Sequence, residues 1–126
     1  MMSSTPPSRE DVATVWQAVA RGEVSREVVR KWAEPLMFAE FDSFPDGRVM
    51  EALQHLHGFD LTYRSDDHRL VGHGPPGEYV RTLGQVAVEF DAWVDRCAAY
   101  DADPEGWVAE RRREAEAYIR EERERN

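Results

Sequence analysis

The sequence predicts an all-α fold, a single compact bundle of four to five helices, with a stretch near 61–71 that reads either as a small β-hairpin or as a loop. Three observations carry this. Apolar residues recur every three or four positions over most of the chain, the period of a half-buried helix. Helix start and stop residues sit at the ends of those periodic segments. A hydrophobic content of 41%, with four Trp, four Tyr and five Phe, can fill the core of a 126-residue chain, which is one domain's worth.

Residues 1–7 read as a disordered lead-in, 8–120 as one helical domain, and 121–126 as a charged, fraying helix end. Ser8, with Asp11 three residues on, forms a capping-box pattern that opens the first helix. Val12, Val15, Trp16 and Val19 follow at helical spacing, and Gly22 is the expected stop. Ser25 starts a second helix with Val28, Val29 and Trp32 on its inner side, and Pro35 is expected to end or kink it. The short link Gly22-Glu23-Val24 makes the two a helical hairpin. Phe38, Phe41 and Phe44 occupy an irregular stretch closed by the turn signal Pro45-Asp46-Gly47.

A third helix is expected over about 48–57, with Val49, Leu53 and Leu56 inward and Gly58 just past its end. Residues 59–77 are rich in Asp, Gly and Pro; Leu61-Thr62-Tyr63 could pair with Arg69-Leu70-Val71. Tyr79, Leu83, Val86, Phe90, Trp93, Cys97 and Tyr100 are spaced 4, 3, 4, 3, 4, 3, which predicts a helix over 78–100 as the spine of the core or one face of a homodimer. Asp103-Pro104 opens the last helix, with Pro at its favoured first position. Arg112/Glu116, Glu116/Arg120, Arg120/Glu124 and Glu121/Arg125 are opposite-sign pairs at i,i+4 on that helix.

The totals exclude several classes. No apolar run approaches the roughly 18–20 residues needed to span a bilayer. Met1–Pro7 has neither the basic nor the apolar region of a secretory signal. One cysteine, Cys97, excludes an internal disulfide framework. A soluble cytoplasmic protein is expected.

Charge is the most informative feature. Residues 40–105 carry 14 acidic and 5 basic side chains, while the segments on either side are balanced, so the middle accounts for the whole formal charge of −9. Such a field favours basic partners and repels nucleic acid.

Catalytic signatures are missing: there is no GxSxG, P-loop or GxGxxG. A non-enzyme with no cofactor is expected. His55 and His57 fall on different faces of a helix. His68, His73 and a loop aspartate could approach one another, but no metal-ligand spacing is present, and no metal is expected. Cys97, on the apolar stripe, reads as a small buried hydrophobe.

Two resemblances suggest ligands. Ala18, Gly22, Val24, Ser25, Val28-Val29 and Trp32 resemble a helix-turn-helix signature, although Glu23 makes the Gly-to-Ser spacing one residue too long. That resemblance implies a DNA-binding regulator with Arg26, Arg30 and Lys31 on its recognition helix. The second is to small all-helical bacterial, actinobacterial-type immunity proteins, which neutralise a cognate toxin. It rests on the helical layout, the acidic balance and the string Val24-Ser25-Arg26-Glu27-Val28-Val29-Arg30-Lys31-Trp32-Ala33. It implies a non-enzymatic protein that occludes a basic protein partner through an acidic surface. The residues expected to carry this are Asp60, Asp66 and Asp67, which would meet the partner's cations, and Tyr63 as an aromatic anchor.

Overall fold

A computed structural model describes residues 5–43 and 46–125. Met1–Ser4 of the lead-in, Phe44 and Pro45 of the expected turn, and Asn126 lie outside the described residues. The element order is α1 (Arg9–Ala20), α2 (Arg26–Phe38), α3 (Gly47–Gly58), β1 (Leu61–Tyr63), β2 (Val71–His73), α4 (Leu83–Ala102) and α5 (Pro104–Arg125). The all-α fold with a small antiparallel hairpin is therefore present. The chain divides into two compact units, Met1–Trp93 and Val94–Asn126, with the boundary inside α4.

In the first unit, α1 begins on a complete capping box. Ser8 Oγ accepts from Asp11 N at 3.0 Å, and the Asp11 carboxylate accepts from Ser8 N at 2.9 Å. The helix ends in a Schellman motif. Gly22 N donates to Val19 O and Glu23 N to Ala18 O, with Gly22 at φ +74°, where a side chain would be strained. Ser25 then caps α2 by accepting from Val28 N. Pro35 does not end this helix, which runs on to Phe38. Both Pro35 and Lys31 are exposed, so the Lys31 carbonyl that Pro35 cannot serve lies beside water. The buried side of α2 also differs from expectation: Val29 and Ala33 are buried, Trp32 is half-buried, and Val28 is 55% exposed.

The centre of this unit is α3, which packs against both α1 and α2 and buries Val49, Ala52, Leu53 and Leu56. It runs to Gly58 itself. Trp16 of α1 is the aromatic hub. It is fully buried, lies within 5.2–5.7 Å, centroid to centroid, of His55, Phe59, Phe90 and Trp93, and donates its indole N–H to Val86 O at 2.9 Å. A buried indole N–H needs such an acceptor.

The expected helix over 78–100 starts five residues late, at Leu83. Thr82 and Gln85 form its reciprocal cap: Gln85 N donates to Thr82 Oγ1 and Thr82 N to Gln85 Oε1. Tyr79 and Val80 are drawn away into extended pairing with β1. Tyr63 N donates to Glu78 O and Val80 N to Leu61 O. β1 thus has β2 on one edge and residues 78–80 on the other, which satisfies its backbone on both sides. Residues 61–63 pair with 71–73 rather than with 69–71. Gly77 passes so close to β1 that a Cβ there would lie 1.8 Å from the Tyr63 carbonyl oxygen.

In the second unit, Asp103 caps α5 by accepting from Gly106 N at 3.0 Å, with Pro104 as the first helical residue. Tyr100 and Trp107 meet edge to face at 5.8 Å, and the Arg111 guanidinium lies 4.9 Å from the Trp107 ring centroid. α5 buries none of its described residues and runs to Arg125. Its ion pairs are at i,i+3, joining Arg111 to Glu114, Arg113 to Glu110 and Arg125 to Glu122. The expected i,i+4 pairs do not form among the described residues. No described helix is long and apolar enough to cross a membrane.

Candidate functional site

The hairpin tip is built by its own side chains. His68 N closes a turn onto Ser65 O at 3.1 Å, and His68 takes a left-handed φ of 61°. The Asp67 carboxylate accepts from Ser65 Oγ at 2.7 Å and from Arg69 N at 3.2 Å. These two bonds hold the Asp67 carboxyl below the usual carboxylate range, the Ser65 hydroxyl contributing most. Ser65 Oγ also accepts from Leu70 N. Asp67 therefore shapes the turn. Asp66 beside it is exposed and has no hydrogen bond or ion pair among the described residues.

Tyr63 lies at the base of this turn. Its ring stacks on His68 with centroids 3.8 Å apart and planes 10° from parallel. Tyr63, His68, Asp66 and Glu78 line an open groove of about 440 Å3. Glu78 is exposed, and its carboxylate also has no hydrogen bond or ion pair among the described residues. Arg64 reaches the groove as well, but its guanidinium is tied to the carbonyls of His73, Gly74 and Pro75, which it clamps across the hairpin. The groove thus has an aromatic wall and two carboxylates without partners.

Asp60 is not part of that surface. It is fully buried, with Oδ2 accepting from Arg30 Nε at 2.7 Å and Oδ1 2.5 Å from His73 Nδ1. Its expected role as an exposed contact is overturned, because a buried carboxylate needs partners from its own chain. Glu34 extends the cluster, lying 3.4 Å from Arg30 and 3.3 Å from His57 Nε2. Sequence reading missed this ring of five residues, which come from four separate elements and connections with no shared spacing.

The residues expected to read DNA are partly committed to the chain itself. Arg26 donates to Phe59 O at 3.3 Å and Arg81 O at 2.5 Å, and its guanidinium sits 3.9 Å from the Tyr79 ring centroid. Burial lowers its pKa from the ordinary arginine value. Glu27 accepts from Tyr79 Oη at 2.5 Å, which raises the Tyr79 pKa. Arg30 holds Asp60. Only Lys31 of the three stands exposed. The side of α2 that would face a duplex is instead fastened to residues 59–81.

No family model, characterised protein or solved structure matches this chain. The tip can offer two carboxylates and an aromatic surface to a cationic side chain, a pairing strengthened by contact between the cation and the ring. His68 stacks at the tip while His73 bonds to Asp60 at the other end of the hairpin, so the grouping of His68, His73 and a loop aspartate does not form. No trio of His, Cys, Asp or Glu among the described residues is placed to enclose a metal ion.

Proposed function

We propose that this chain is a non-enzymatic protein-binding protein that docks a basic partner on the hairpin tip, with Asp66, Glu78 and Tyr63 as the contact residues. The observation that carries the reading is the groove beside the tip, where two unpaired carboxylates flank the stacked Tyr63 and His68 rings. The acidic balance of residues 40–105 supports it, since like-signed charge steers an oppositely charged protein toward the surface. The turn is braced by Asp67 and Ser65, so little order is lost on binding. We further propose that the partner is a basic toxin, neutralised by occlusion as immunity proteins do; the helical layout and the acidic charge support that extension.

A DNA-binding role through Arg26, Arg30 and Lys31 is the weaker proposal. Phosphate contacts dominate affinity for DNA, and two of these three cations already serve partners within the chain.

The test is an NMR titration of the full chain with an arginine-rich 12-residue peptide and, separately, with a 20-base-pair duplex. The proposal expects the peptide to shift the amides of Tyr63, Asp66 and Glu78. Asp66→Asn with Glu78→Gln should weaken that binding and flatten its salt dependence. Shifts confined to Arg26–Lys31 on adding duplex would instead establish the DNA reading.

A further inference from the structure

We propose that His57 and His73 form a chelating pair for a borderline divalent transition-metal ion such as zinc, nickel or copper(II), with Glu34 and Asp60 as the carboxylates that orient them. This site is separate from the hairpin tip and does not depend on the docking proposal. His57 lies in the last turn of α3, and His73 ends β2. The two rings meet edge to face, 4.8 Å apart centroid to centroid with their planes 66° apart. Two imidazoles that share one ion at roughly 2.1 Å, in a near-tetrahedral arrangement, hold their centroids roughly 5 Å apart.

A carboxylate fixes the orientation of each ring. Metal-binding histidines commonly hold their second nitrogen on a carboxylate, which fixes the ring and raises its basicity. Both rings have this arrangement. His73 Nδ1 is 2.5 Å from Asp60 Oδ1, and His57 Nε2 is 3.3 Å from Glu34 Oε1. His73 Nε2 and His57 Nδ1 have no hydrogen-bond partner among the described residues. The side chains are 36% and 23% exposed, so an ion can reach them.

Charge and ligand type narrow the ion. Two carboxylates face one guanidinium, that of Arg30, in this cluster. That leaves a local excess of negative charge for a cation. Imidazole nitrogen suits zinc, nickel and copper, whereas magnesium and calcium require oxygen ligands. With no third protein ligand grouped here, the ion keeps positions open to water or to a side chain of a bound partner.

The experiment is calorimetric titration of the full chain with zinc chloride and with nickel chloride at neutral pH, read in parallel by imidazole nitrogen NMR. The expected result is one ion per chain, with shifts at His57 Nδ1 and His73 Nε2. His57→Gln and His73→Gln should each lose that binding, and Glu34→Gln should weaken it about tenfold. His68→Gln should bind as the parent does. Urea unfolding of each variant checks that it is folded, and His57→Gln removes the contacts to Glu34 and to the His73 ring but leaves Asp60 paired with both Arg30 and His73, so it remains decisive if His73→Gln is unstable. Unchanged ion binding in His57→Gln, or no shift of either ring at millimolar zinc, would overturn the proposal.

Discussion

Arg30 donates from Nε to Oδ2 of the fully buried Asp60 at 2.7 Å, joining the middle of α2 to the residue that precedes the hairpin. From sequence each partner reads as free: Arg30 as a contact for DNA, Asp60 as a contact for a basic protein. Together they are a structural ion pair. Arg30→Ala leaves the Asp60 carboxylate buried with only His73 beside it. The expected cost is about 3 kcal/mol, read as a lower urea midpoint. Lys31→Ala, at the exposed neighbouring position, should change stability by less than about 0.5 kcal/mol.

The inner face of the first unit can be tested in the same way. Leu53 is fully buried in α3, whereas Val28 is 55% exposed on α2. Leu53→Ala should cost about 3 kcal/mol through lost burial and the cavity left behind. Val28→Ala should be nearly neutral. If Val28→Ala cost as much as Leu53→Ala, α2 would be rotated from the orientation described.

Tyr79 gives a pH dependence with a definite sign. Its hydroxyl donates to Glu27, and its pKa is raised chiefly by that hydrogen bond. A group whose folded pKa lies above its unfolded value contributes stability below the unfolded pKa, near 10 for tyrosine. That contribution is lost as the pH rises through the folded pKa. Unfolding free energy should therefore fall more steeply above about pH 10 in the parent than in Tyr79→Phe. At neutral pH the variant should be less stable by about 1 kcal/mol. Parallel pH profiles would show that the bond does not form in solution.

Gly77 should tolerate no side chain. A Cβ there would overlap the Tyr63 carbonyl oxygen, so Gly77→Ala must push residues 78–80 off β1. The expected readout is faster amide hydrogen exchange at Tyr63 and Val80, whose amide hydrogens bond across that edge. Gly47→Ala, with open space around the added methyl, should leave both amides protected.

At the tip, Asp67 is exposed and is held below the usual carboxylate range by Ser65 and Arg69. A depressed folded pKa favours the ordered turn above the unfolded value and loses that effect as the pH falls through the folded pKa. Backbone NMR order parameters for Ser65–Leu70 should drop on acidification in the parent. In Asp67→Ala they should already be low at neutral pH. The arginine-rich peptide should then bind Asp67→Ala more weakly, although Asp66 and Glu78 are intact.

Most of the helical framework was legible because its signals are local. A hydroxyl or carboxylate at a helix start satisfies free backbone N–H groups in its own first turn. Ser8, Ser25 and Asp103 mark their helices for that reason. Gly22 marks the end of α1 because only a residue at ease with positive φ closes the motif found there. The burial of Val12, Trp16, Val19, Val49, Leu53 and Leu56 follows from their spacing alone. Tyr79 misled for the same reason: it fits the helical stripe that begins in earnest at Leu83, yet it pairs with β1, whose second edge needed a partner.

The site depended on contacts between residues far apart in the chain. Asp60 and Asp66 are six residues apart in one polar segment, and nothing in their neighbours separates the buried one from the exposed one. What separates them is the distant Arg30 and His73, which bond to Asp60 in the interior while Asp66 stays in water. His57 and His73 likewise meet only because the chain brings the end of β2 beside the last turn of α3. Residue order therefore determined the helices, their caps and the distribution of charge, because each arises within a turn or two of backbone or from composition. Tertiary structure alone decided which charges are structural and which are displayed, because desolvation and ion pairing depend on what packs against a residue.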